Sequence, residues 1–202
     1  MPLDSATLSN NIFMQMKAQG FLGKSDKDLA DGISLGLSTY LKTPNLISFQ
    51  LSGTMGPTGT LSSISYAGLV PSAMSSLMVS RAPFTGKNWK GLCDAISTGF
   101  AISFMTSTVS GTTLGIALGT GVGRFISMID SDLSNRIKST TAIKQMTGSK
   151  KDQMIDAIAF GICTHFKTSV TVLASVTGAV APVPPAGPVA VSGMPSVFNT
   201  II

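Results

Sequence analysis

The stretch D-A-I-A-F-G-I-C-T-H-F-K-T, Asp156–Thr168, decides the reading of the chain because it is written twice more. Asp31–Thr43 reads D-G-I-S-L-G-L-S-T-Y-L-K-T and Asp94–Thr106 reads D-A-I-S-T-G-F-A-I-S-F-M-T, with the aspartates 63 and 62 residues apart. In register, the apolar positions are Leu29, Ile33, Leu37 and Leu41; Leu92, Ile96, Phe100 and Phe104; and Met154, Ile158, Ile162 and Phe166. Steps of four describe the stripe of an amphipathic helix. Gly36, Gly99 and Gly161 fall on the same side of each copy. A glycine costs roughly 1 kcal/mol against alanine inside a helix, so its recurrence predicts that another backbone passes close there. These residues are the expected packing surface between modules.

Working outward, Leu8-Ser9-Asn10-x-Ile12 returns 125 residues later as Leu133-Ser134-Asn135-x-Ile137, the same offset that separates Asp31 from Asp156. The copied unit is therefore longer than the motif. A first helix is expected over 4–19, with Asp4 and Ser5 as cap and Gly20 as stop, and the repeat helix over about 26–42, stopped by Thr43-Pro44. After it, Ile47, Phe49 and Leu51 alternate with Ser48, Gln50 and Ser52, a half-buried strand closed by Gly53. Val170, Val172, Ala174 and Val176 do the same before Gly178. In the middle copy Ser72–Val79 is the expected first helix, and 108–123 reads as one strand with a nearly bare glycine face, a continuous helix being the rival.

The expectation is an α+β fold of three tandem helix–helix–strand modules, a pseudo-threefold repeat over 1–66, 67–126 and 127–177, followed by an extended arm over 178–202. The arm carries five prolines and three glycines between 178 and 195. With few backbone donors it favours polyproline II or an edge strand, and Pro182, Pro184, Pro185, Gly187, Pro188 and Val189 are its expected partner-binding segment.

Composition narrows function. Charged residues make up 11% of the chain, against about 25% in an ordinary soluble domain, and mean hydropathy is +0.38. Much of the surface must then be Ser, Thr, Gly or a protein partner. The net charge of +5 is scattered rather than clustered, so no nucleic-acid partner is expected. No basic region followed by an apolar core opens the chain, so no secretory signal is expected. Cys93 and Cys163 have apolar or small counterparts in the other copies and read as reduced thiols rather than a disulfide framework.

No catalytic constellation emerges. Gly119-Thr-Gly121-Val-Gly123 spaces its glycines every second residue, unlike a dinucleotide loop, and Thr85-Gly86-Lys87-Asn88 lacks the rest of a phosphate loop. His165, the only histidine, has Tyr40 and Ser103 as counterparts and is expected to be a partly exposed helix residue; with one cysteine nearby it cannot complete a zinc site. Asp31, Asp94 and Asp156 are expected to favour the positive end of a helix. No metal, cofactor or small-molecule ligand is expected. Residues 92–129 contain few charges, which raises a membrane-active protein inserting that segment as an alternative.

The N-terminal M-P-L-D-S-A-T-L-S-N-N-I-F-M-Q-M-K-A-Q-G-F, with K-D-L-A-D-G-I-S-L-G-L-S-T-Y-L-K-T after it, resembles small virion proteins of contractile-tailed bacteriophages. The resemblance covers residues 1–55 and 150–190. It implies a module with a short helix ending in Gly-Phe, a second amphipathic helix and valine-rich strands with Pro/Gly segments. It also implies a non-enzymatic virion protein, assembled in the host cytoplasm and acting in tail, baseplate or neck, with a capsid or decoration component as the alternative. The partners would be other virion proteins and copies of itself, with no stable membrane association. The chain departs from that family pattern by carrying three modules. Three fused modules can imitate a homotrimer.

Overall fold

A computed structural model describes residues 3–43, 48–67, 69–115, 118–177, 189–191 and 200–201. In chain order the elements are α1 Ser5–Ala18, α2 Lys24–Lys42, β1 Ser48–Ala67, α3 Pro71–Arg81, α4 Lys87–Met105, β2 Val109–Gly115, β3 Leu118–Phe125, α5 Asp130–Ser139, the short α6 Thr141–Lys144, α7 Lys151–Thr168, β4 Thr171–Thr177, β5 Val189–Val191 and β6 Thr200–Ile201. Local chemistry places the helix ends. Asp4 accepts from the Thr7 N–H at 2.9 Å and caps α1; Gly20 turns the chain at φ 82°; Pro71 opens α3 where its missing N–H has no helical partner to lose.

Six helices close a ring. α1 packs on α2, α2 on α3, α3 on α4, α4 on α5, α5 on α7, and α7 returns to α1. The buried residues form one cluster drawn from every helix. Ile33, Leu37, Ile96, Phe100, Phe104, Ile158, Ile162 and Phe166 are buried completely, Leu41 and Leu92 nearly so, and Leu29 and Met154 lie partly buried against the cluster. Phe166 meets Phe100, Phe104 and Phe125 with ring centroids 5.2, 6.0 and 5.7 Å apart, so matching positions of α4 and α7 converge in the interior.

The expected α+β class of three helix–helix–strand modules is overturned. The molecule is mostly helical, and what repeats is a helix pair: α1 with α2, α3 with α4, α5 with α7. The reason lies in the second helices, which bury far more than the single stripe read from the sequence. α2 also buries Ala30, Gly32, Ser34, Ser38 and Tyr40; α4 adds Trp89, Cys93, Ala95, Ser97, Ala101 and Ser103. A helix buried on both flanks fits between two helical neighbours and needs no strand of its own to cover it.

The strands instead join in one antiparallel arrangement, in the order β5-β1-β2-β3-β4-β6. Segment 108–123 is neither a single strand nor a helix: its described residues fall into two antiparallel strands, β2 and β3, with Val109 opposite Phe125 and Leu114 opposite Thr120. β1 runs past Gly53 to Ala67. The Val70 N–H donates to the Tyr40 hydroxyl at 2.6 Å, so the chain returns to the end of α2; twenty straight residues would span roughly 66 Å, and β1 must bend back. No helix among the described residues is long and apolar enough to cross a membrane. The described residues of 92–129 belong to α4, to β2 and β3 and to the segments that adjoin them.

Candidate functional site

The three junctions between helix pairs are where the repeat does its work. At each, the small residue predicted to admit a backbone does so. A Cβ on Gly36 would stand 2.6 Å from Met78 Cα, one on Gly161 2.5 Å from Ile12 Cα, and one on Gly99 3.1 Å from the Ile137 nitrogen. Gly36 belongs to the first pair and Met78 to the second; Gly99 to the second and Ile137 to the third; Gly161 to the third and Ile12 to the first. Each glycine thus receives the first helix of the next pair, and the last receives the first.

Within each pair a second device recurs. Ser9 donates to Asp31, with Lys27 bridging both; Lys27 Nζ lies 2.9 Å from the Ser9 hydroxyl. Ser75 donates to Asp94 at 2.5 Å and Lys90 pairs with the same carboxylate at 2.8 Å. Ser134 donates to Asp156 at 2.5 Å, and the lysine now comes from the other helix, Lys138, at 2.6 Å. The aspartates therefore stand in the body of their helices as clamps, not at the positive helix end where they were expected. Ser9, Ser75 and Ser134 were missed as their partners. A signal existed: the separation is 22 residues in the first and third copies and 19 in the second.

Burial pushes each of these carboxyls up, and the hydrogen bonds from lysine and serine outweigh it, leaving all three below the ordinary 3.8. Their contribution to stability is complete above that value and is lost as pH falls through the lowered one. The aspartate side chains are about half exposed, so screening keeps each ion pair to about 1 kcal/mol or less. Ser134→Ala is expected to lower the urea-derived stability by about 1 kcal/mol at pH 7. The loss should shrink as pH falls below 3.8 and on through the lowered value at which folded Asp156 takes up its proton; a loss that stays equal over the whole acid range would mean that the serine acts through packing alone.

Depressions of about 210 Å³ beside Asp156 and about 350 Å³ beside Asp94 border two of the clamps. A carboxylate held low and committed to a lysine and a serine is a poor general base near neutrality. No group of three or more metal-ligating side chains occurs among the described residues. Cys93 and Cys163 are free and buried, and burial pushes both thiols up to about 12, which keeps them as inert thiols. Gly86 makes the turn before α4 with φ 110°, and Gly119, Gly121 and Gly123 lie within β3, each paired across to β4.

His165 corrects an expectation: it is fully buried, not partly exposed. Of the predicted arm, Pro182, Pro184, Pro185, Gly187 and Pro188 lie outside the described residues, while Val189 begins β5, opposite Met55 of the same chain. Comparison of the chain with protein-family models, with curated proteins and with solved structures finds no significant match.

Proposed function

We propose that this chain is a non-enzymatic building block of a contractile-tailed phage particle, acting in the tail, baseplate or neck through contacts with other virion proteins and with copies of itself. The observation that carries the reading is the closed ring of three helix pairs, joined by like junctions and like clamps. Such a body has the outline of a trimer but faces that differ. At the position four residues beyond each clamp aspartate it exposes Leu35, Thr98 and Phe160. Three unlike faces on a near-symmetric frame suit contact with a component of lower symmetry, which an exact homotrimer cannot offer. The resemblance of residues 1–55 and 150–190 to small virion proteins supports the same reading, as does the commitment of each clamp carboxylate to a structural role.

Separating purified particles into heads and tails, then identifying this chain by mass spectrometry, tests the reading. Recovery with the tail fraction is expected. Recovery with heads alone would favour a capsid or decoration component instead, and absence from the particle would overturn the virion role.

A further inference from the structure

Nine residues beyond its clamp aspartate, each second helix places a side chain against the first helix of the next pair. Tyr40 accepts from the N–H of Val70, the residue before α3. The Ser103 hydroxyl lies 3.4 Å from the carboxylate of Asp132 in the first turn of α5. His165 Nδ1 lies 3.5 Å from the Asn11 amide nitrogen of α1. The first two junctions join helices that follow one another in the chain. The third joins the last helix to the first, so packing alone closes it. There stands the chain's only histidine, fully buried, with Nε2 lacking a hydrogen-bond partner among the described residues.

With the Asn11 amide donating to Nδ1, the neutral ring carries its hydrogen on Nε2, and a second proton must enter at Nδ1. There it displaces the Asn11 bond and leaves a charge inside an apolar seam, an arrangement that is costly unless the charge is paired. Of the charges on the packed elements, Asp4 at the start of α1 is the one that acts on the ring. Lys17 of α1 stands over the Phe13 ring. On α5, Asp132 pairs with Arg136, Lys138 with Asp156, and Asp130 acts on Cys163. On α7 itself Lys151 lies beside Asp152, and Lys167 acts on Cys163; Arg124 of β3 is exposed.

We propose that His165 is a pH-operated latch: when it takes a proton, α1 separates from α7 and the ring opens at this junction alone. Burial holds His165 below its ordinary 6.5, and the pull of Asp4 in the other direction is smaller. The closed seam is therefore fully stable above that value and weakens as pH falls below it, by up to about tenfold per pH unit for one proton. The other two junctions hold no histidine. The latch stands apart from the virion reading and survives its failure.

Hydrogen–deuterium exchange of the full chain at pH 7.5 and 5.5, corrected for intrinsic rates, tests it. In the wild type, protection across α1 and α7 is expected to fall, by up to about tenfold, while α3 and α4 keep theirs. His165→Gln should abolish the pH response, and His165→Asn serves if that variant does not fold. Unchanged protection at α1 and α7, an equal loss at all three junctions, or a variant that responds like the wild type would each overturn the proposal. Should neither variant fold, the wild-type contrast between junctions decides alone.

Discussion

Gly161→Val is expected to lower folding stability by about 3 kcal/mol or more, seen as a fall in Tm of about 6–12 °C. Even the first added carbon would stand 2.5 Å from Ile12 Cα and 2.7 Å from its nitrogen. Both are backbone atoms, so no rotamer change relieves the clash, and α1 must move off α7. Alanine scanning of the three glycines sharpens the expectation. Alanine gains roughly 1 kcal/mol of helix propensity over glycine, which offsets part of any clash. At Gly99 the nearest neighbour is Cγ1 of Ile137 at 2.8 Å, held by the stiff χ1 of a β-branched side chain, and backbone comes no closer than 3.1 Å. Gly99→Ala should therefore be the least destabilising of the three, with Gly36→Ala and Gly161→Ala, whose backbone contacts are 2.7 Å or shorter, costing more. Three equal responses in thermal melts would contradict the junction geometry.

Phe166→Ala is expected to cost about 3–5 kcal/mol. Phe166 is completely buried and its ring touches those of Phe100, Phe104 and Phe125, so truncation opens a cavity lined by three rigid aromatics from two further elements. Edge-to-face pairs add about 0.5–1.5 kcal/mol each beyond the area they bury. Phe166→Leu keeps most of the volume and should cost less than about 1.5 kcal/mol, matching the leucine that the first copy already carries at this position, Leu41. Because Phe125 belongs to β3, the alanine variant should also loosen the strands, read as faster amide exchange in 118–125. A loss under 1 kcal/mol would place Phe166 outside the core.

Much of this was written in the sequence. A four-residue apolar step with a glycine in register is a helix signal that needs no neighbour to interpret, and it located both the second helices and the close backbone approach. α1 is legible from its cap and stop, and α3 from its place as the first helix of the middle copy. The strands were harder. Alternation in Leu114–Val122 identifies extended chain but not where it reverses, and pairing partners far apart in sequence leave no local trace. The modular α+β expectation failed for a related reason. It read each second helix as a single apolar stripe within its own module, whereas Ala30, Ala95 and Ala157 are buried as well and let the second helices pack on more than one side. Ser9, Ser75 and Ser134 are hard to read as clamp partners because a lone serine carries no pattern of its own; only its separation from the aspartate, equal in the first and third copies and three residues shorter in the second, does. His165 reads as partly exposed without its context, although its counterpart Tyr40 is the kind of side chain a core accepts.

The central claim is that three helix pairs form a ring closed by the chain's two end helices. Asn10, Ser76 and Asn135 occupy matching exposed positions on α1, α3 and α5, and Cys93 and Cys163 are buried away from labelling reagents. Spin labels placed on these three sites two at a time, with the distances read by pulsed electron paramagnetic resonance, measure the ring directly. The closed arrangement predicts three similar distances. A 10-to-135 distance close to the sum of the other two would show a linear row of helix pairs and contradict the account.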